Sequence, residues 1–273
     1  MSSEKSGKKD WNSATIKDNF IFGKTMEMNP DLCRQLLEKI LKIKIRSIQY
    51  PEREKVIEQR TDSKGIRVDV YVQDNKNRSY DIEMQVADSD NISKRMRYYQ
   101  GLIDLDKLKH GQHYSSLGES YIIFICPFDK FSQGRHLYTF RERCDEDNAL
   151  SLNDGTVKIF LSTKGNLDDV SEEVKAFLDY VDSGIIKGKF IKQLDDAVKA
   201  VKPNEKVRLE YMTFEMALLE SKLEGEERGR EENTIEHLKS VMKKLNYTAE
   251  KAMEFLDVPE DKRNRLLTLL KDE

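Results

Sequence analysis

Asp69, Glu83 and Gln85 stand on two short alternating runs, Ile66-Arg67-Val68-Asp69-Val70-Tyr71-Val72 and Tyr80-Asp81-Ile82-Glu83-Met84-Gln85-Val86. Successive side chains of a strand point to opposite faces, so Ile66, Val68, Val70 and Val72 share one face and Arg67, Asp69 and Tyr71 the other. In the second run Tyr80, Ile82, Met84 and Val86 face one way, and Asp81, Glu83 and Gln85 the opposite way. The polar segment Gln73-Asp74-Asn75-Lys76-Asn77-Arg78-Ser79 between them suits a hairpin connection. Paired as a hairpin, the runs project Asp69 and Glu83 from one sheet face. Two carboxylates there, with a polar side chain two residues on, make a hard-cation site of the kind that activates water against a phosphodiester. A lone acid on such a strand would be an ordinary solvated residue of a half-exposed sheet. The pair, and the order of elements around it, carries the reading.

Those elements follow from local signals. Asp18 to Met28, with Phe20, Phe22 and Met26, reads as a short helix or turn packed on the core. Asn29-Pro30-Asp31 starts a second helix with a capping side chain, Pro at the first helical position and an acid near the positive helix end. That helix lines up Leu32, Cys33, Leu36, Leu37, Ile40 and Leu41. Residues 45–59 read as an extended strand bent at Pro51, ahead of the two alternating runs. Ser89/Asp90 caps a further helix with Ile92, Met96, Tyr99 and Ile103 on one face, ending near Gly111. Tyr121 to Cys126 is a solid apolar run stopped by Pro127, the pattern of a strand buried on both faces. Leu137 to Arg143 and Val157 to Leu161 add strand-like material. From Ser171 onward the pattern is helical, including Phe190 to Val201 and a charged stretch from Pro203 to Leu245 that Gly225 and Gly229 weaken. Thr248 and Pro259 start two short terminal helices. The division expected is a disordered 1–15, a working domain over 16–185 and a helical region over 186–273.

Composition narrows the function classes. The chain has 273 residues, of which 36% are charged and 38% hydrophobic, and a formal net charge of −3, so no global basic field draws it onto nucleic acid. Contact with DNA has to come from a local patch or a metal. Cys33, Cys126 and Cys144 form neither a zinc pattern nor a disulfide framework, which fits a reducing cytosol. The Ser/Lys-rich start has no apolar leader and no run reaches membrane-spanning length, so a soluble cytoplasmic protein with no membrane partner is expected. The four histidines show no metal-ligand spacing beside an acid. Tyr98 and Tyr99 read as packing residues in preference to a base-stacking platform.

The motifs together resemble the PD-(D/E)XK nuclease-type transposases, also called Rpn recombination-promoting nucleases. The likeness runs from Lys17-Asp18-Asn19-Phe20 through the Gly65 to Val72 and Asp81 to Gln85 segments. It continues over Lys94 to Tyr99, Ser120 to Cys126 and Tyr138 to Arg141, and reaches Leu161-Ser162-Thr163-Lys164-Gly165. The resemblance implies an α/β, restriction-endonuclease-like αβββαβ core with a mixed sheet, here followed by the C-terminal helical tail. It also implies DNA cleavage dependent on Mg²⁺, with Mn²⁺ able to substitute. Asp69 and Glu83 are then metal ligands, the Met84 carbonyl a further ligand, and Gln85 occupies the position of the usual lysine. Lysine there gives a positive charge, whereas Gln85 can only orient water, so slow turnover is expected. Lys94 or Arg95 could supply the missing cation. Lys94, Arg95 and Arg97 are candidate phosphate contacts, and Asp18 is a candidate accessory acid or a helix N-cap. The reading is a magnesium-dependent DNA endonuclease linked to recombination or mobile elements. Its alternatives are a catalytically weak binding protein of the same fold and an RNA-directed nuclease, with a homo-oligomer through the helical tail left open.

Overall fold

The computed structural model describes residues 10–49, 66–108 and 110–271, with the backbone alone for 52–57, 66, 67 and 271. The chain divides into two compact units, Met1–Arg208 and Leu209–Glu273. The first is built on a six-stranded mixed sheet of order β1-β2-β3-β4-β6-β5, made of β1 (Glu52–Ile57), β2 (Ile66–Gln73), β3 (Ser79–Met84), β4 (Ser120–Cys126), β5 (Leu137–Phe140) and β6 (Thr156–Ser162). β1, β2 and β3 are antiparallel neighbours, β4 runs parallel to β3 and to β6, and β5 closes the edge antiparallel to β6. Helices α1 (Asn19–Met28) and α2 (Pro30–Leu41) precede the sheet, and α3 (Ile92–Lys107) carries the chain from β3 to its parallel neighbour β4. A parallel pair needs such a crossover, because the chain must return to the end of the sheet where β3 began. This is the αβββαβ order expected.

The sheet is buried on both faces around β4, as its unbroken apolar run requires. On the α3 side, Ile122, Phe124 and Cys126 pack with Met96, Tyr99 and Ile103, and Phe131 reaches the same cluster. Phe124 meets Tyr99 and Phe160 edge-on, with ring centroids 6.2 and 6.1 Å apart. On α2 the stripe Leu32, Cys33, Leu36, Leu37 and Ile40 is buried. Burial pushes the Cys33 and Cys126 thiols up to about 12, which keeps both protonated and unreactive. Helix α4 (Glu172–Ser183), capped by Ser171, and helix α5 (Gly188–Val201) complete this unit, and α5 packs against α1 and α4.

Several local expectations change. Residues 1–9 of the stretch expected to be disordered, the bend at Pro51 and the facing of Ile66 and Arg67 lie outside the described residues. Residues 10–15 lie in a turn region where Trp11 is buried, its indole N–H donating to the Lys202 carbonyl at 3.3 Å. Asn29 does not cap α2 with its side chain: its amide reaches back to the Thr25 carbonyl at 2.9 Å and closes α1, leaving Pro30 to open the next helix. Helix α3 starts after Asn91, just past the expected Ser89/Asp90, and Ser89 instead donates to the Asn91 side chain at 2.8 Å. The long helix α6 (Glu205–Leu245) runs unbroken through Gly225 and Gly229. A glycine costs a helix about 1 kcal/mol, too little to stop one of this length. In the second unit the last turns of α6 pack with α7 (Ala249–Phe255) and α8 (Glu260–Lys271) around Leu238, Met253, Val258 and Leu266. Among the described residues no helix is long and apolar enough to cross a membrane.

The β2–β3 turn is tied by one buried side chain. Asp74 accepts from the backbone N–H groups of Lys76 (2.8 Å) and Arg78 (3.0 Å), from the Arg78 guanidinium (2.6 Å) and from the Tyr80 hydroxyl (2.9 Å). Every one of these donors comes from the turn or the strand after it, so the cluster holds the hairpin register. Asp74→Ala leaves Arg78 buried without its carboxylate and should cost about 3–5 kcal/mol in denaturant unfolding. A loss below about 1 kcal/mol, the worth of one ordinary hydrogen bond, would show that the turn holds without the clamp.

Candidate active site

The β2–β3 ladder pairs Gln73 with Ser79 and runs in register to Val70 with Ile82. One step further along, Asp69 stands across from Glu83, and here side chains replace the backbone partners. The Asp69 N–H donates to Glu83 Oε1 at 2.8 Å, and the Met84 N–H donates to Asp69 Oδ2 at 2.9 Å. Each carboxylate thus takes up an N–H of the opposite strand, where the backbone pairing has ended. Both acids are buried, at 7% and 5% exposure. The Gln85 N–H bonds the Ile125 carbonyl of β4. Alternation along the strand then turns the Met84 N–H and carbonyl to the other side, toward Asp69.

Two helices reach this point. At the start of α1, Asp18 accepts from the Phe20 and Ile21 N–H groups at 3.0 and 3.3 Å, the work of an N-cap. The next side chain, Asn19, donates to Asp69 Oδ1 at 3.2 Å. From α3, Arg95 donates to Gln85 Oε1 at 2.7 Å and to the Tyr99 hydroxyl at 3.1 Å, and lies 3.8 Å from Glu83 Oε2. The other end of the Gln85 amide donates to the Ala87 carbonyl. The Arg95 guanidinium sits 5.5 Å from the ring centroids of both Tyr99 and Phe124. Lys94 and Arg97 are exposed on the same helix. The helical turn separates them: Arg95 lies three residues after buried Ile92 and four before buried Tyr99, so it falls on the stripe that meets the sheet. That spacing is a readable signal for Arg95. No local pattern marks Asn19, which meets Asp69 only through the fold.

Electrostatics follow from burial. Burial, then the Asp69 and Asp81 charges, push the Glu83 carboxyl well above the usual range, against the Asp69 N–H and Arg95. Burial and the Asp69 charge push Asp81 the same way. Burial works against the Arg95 charge, but Tyr99 and Glu83 outweigh it and keep the guanidinium charged. The two acids of β3 therefore hold their protons more tightly than usual, with one close cation, Arg95, beside them.

Among the described residues no three His, Cys, Asp or Glu side chains are gathered tightly enough to hold a metal ion by themselves. The available donors are nevertheless oxygens of the right kind. Magnesium asks for one or two carboxylates and keeps several waters. Both carboxylate oxygens of Asp81, on the Glu83 face of β3, are buried and have no hydrogen-bond partner in place, unused oxygen acceptors beside the pair. The residues fit such an ion.

The sequence model of the PD-(D/E)XK nuclease family transposases matches residues 19–162, which include Asn19, both hairpin acids, Gln85 and Arg95. No curated protein and no solved structure matches the chain.

The raised Glu83 carboxyl sets a pH dependence. A group that binds its proton more tightly when folded adds stability below its unfolded value, ordinarily 4.5 for this residue, and loses it as pH climbs through the raised one. Metal-free protein should therefore lose melting temperature as pH rises above that ordinary value, and Glu83→Gln should flatten the slope. Equal slopes for parent and variant would remove Glu83 as the cause.

Proposed function

Because the chain belongs to the PD-(D/E)XK nuclease family transposases, nucleases linked to mobile elements, we propose that it is a Mg²⁺-dependent endonuclease that hydrolyses DNA. The observation that carries the reading is the opposed pair Asp69 and Glu83 where the ladder ends, with the Met84 carbonyl turned toward it. These three groups would hold the divalent cation. When bound, the cation neutralises the scissile phosphate and lowers the pKa of an attacking water.

The chain's own residues do the rest. Asn19 holds Asp69 in one orientation through its amide. Gln85 stands in the lysine position and carries no charge, but its amide can orient water once it releases the Ala87 carbonyl. Arg95 supplies the charge from α3, fixed by Gln85, Tyr99 and the two aromatic faces. A guanidinium also matches a phosphate with two parallel donors, so Arg95 is the preferred backbone contact, with exposed Lys94 and Arg97 positioning the rest of the strand. Asp18 serves the site by fixing the start of α1 and thus Asn19.

Purified protein should nick or degrade DNA in Mg²⁺ or Mn²⁺ and stop in EDTA. Asp69→Ala and Glu83→Ala should each lower cleavage by at least about 100-fold, and Gln85→Ala should slow it less. Saturating Mg²⁺ should raise the melting temperature of the parent and leave Asp69→Ala unmoved. A parent that binds DNA but cuts neither DNA nor RNA with any divalent ion would be a binding protein of this fold. Cleavage of RNA alone would reassign the substrate.

A further inference from the structure

Besides Asp69 the hairpin carries two buried aspartates, and the fold treats them differently. Asp74, at the turn, has donors for each oxygen: the Lys76 and Arg78 N–H groups on one, the Arg78 guanidinium and Tyr80 hydroxyl on the other. That is how a buried structural carboxylate is satisfied. Asp81 is 0% exposed, and neither of its oxygens makes a hydrogen bond. It pairs with Tyr71 of β2 and Ile122 of β4, so its flanks offer no cation. The polar group nearest to hand is the Glu83 carboxyl, itself an acceptor when ionised, which could bond Asp81 only by holding a shared proton. A buried carboxyl without a partner is destabilising whether charged or neutral, and an apolar residue of similar size would fill the position without that penalty.

Position explains what that carboxylate faces. Asp81 is two residues before Glu83 on the same side of β3 and diagonal to Asp69 across the hairpin. The two outer acids are already engaged: Asp69 accepts from Asn19 and Met84, and Glu83 accepts from Asp69 and pairs with Arg95. The innermost acid has no backbone N–H or cation bonded to it and only the Glu83 carboxyl beside it. We propose that Asp81 is a third carboxylate of the divalent-cation centre, acting on the ion through a bound water. The inference rests on the assignment of Asp69 and Glu83 to that centre.

The test is Mn²⁺ binding to the full chain by calorimetry, with melting temperatures recorded with and without Mg²⁺. Asp81→Asn keeps the shape and removes the charge, Asp81→Ser removes charge and bulk, and Asp69→Asn is the control. Both Asp81 variants should fold, melt no lower than the parent without metal, and bind Mn²⁺ about 10- to 100-fold more weakly. Their Mg²⁺-induced gain in melting temperature should shrink in step. If Asp69→Asn loses Mn²⁺ while both Asp81 variants bind like the parent, Asp81 is outside the centre and the proposal fails alone. If Asp69→Asn also binds like the parent, the metal centre itself is misplaced. Loss of the fold in both Asp81 variants would make Asp81 a structural residue and overturn the proposal.

Discussion

The exchange of hydrogen bonds between Asp69 and its partners Glu83 and Met84 is the constraint on which the site depends. An antiparallel ladder leaves N–H groups unmet wherever its strands part, and buried N–H groups must find acceptors. Here the acceptors are the two carboxylates, each bonded to the opposite strand. One arrangement thus ends the hairpin pairing, brings two negative charges together and turns the Met84 carbonyl toward them. The acids belong to the fold's own hydrogen bonding as well as to the proposed chemistry. Replacing one would therefore disturb a backbone N–H as well as a proposed ligand, and a loss of activity has to be read beside a measurement of stability.

The rest of the first unit holds that arrangement from three directions. The Asp74 cluster fixes register at the far end of the hairpin, so that Asp69 and Glu83 meet in opposition. A slip of one residue would send one of them to the other face. Helix α1 brings Asn19 to Asp69, and α3 brings Arg95 to Glu83 and Gln85. The crossover from β3 through α3 to β4 makes the second contact possible, because it lays the helix on the sheet face that carries Glu83. Phe124 and Tyr99 form the floor on which the guanidinium rests.

Asp69, Asp81 and Glu83 face a single close guanidinium, and burial raises the proton affinity of Glu83 and Asp81. Burial makes the metal-free carboxylates reluctant to ionise, and a bound cation would favour their ionised form through an attraction that grows as water is excluded. The proposed role of Gln85 in the lysine position fits this pattern: a nearby charge is already supplied from α3, and the glutamine is bonded to it.

By itself the sequence determined the periodic features. Alternation placed Asp69 and Glu83 on a common face, the polar segment after Val72 marked the turn, and helical spacing placed Ile92, Met96, Tyr99 and Ile103 on one buried stripe. These depend on residues two to four apart, where chain geometry alone sets which side chains share a face. Cap identities were less legible: Asn29 and Ser89 found nearer partners than the helix ends they precede, because several polar groups compete within one turn. Tertiary structure decided the rest. Asn19 is distant from Asp69 in the chain and meets it only because α1 packs beside β2. Arg95 lies in phase with the buried stripe of α3, which spacing shows, but its meeting with Gln85 and Glu83 came only from the packing of that helix on the sheet. Asp81 looked like one more outward acid until β4 closed beside it and left its oxygens without a donor. Each of these turns on which strand or helix covers a face, and local periodicity carries no information about the covering element.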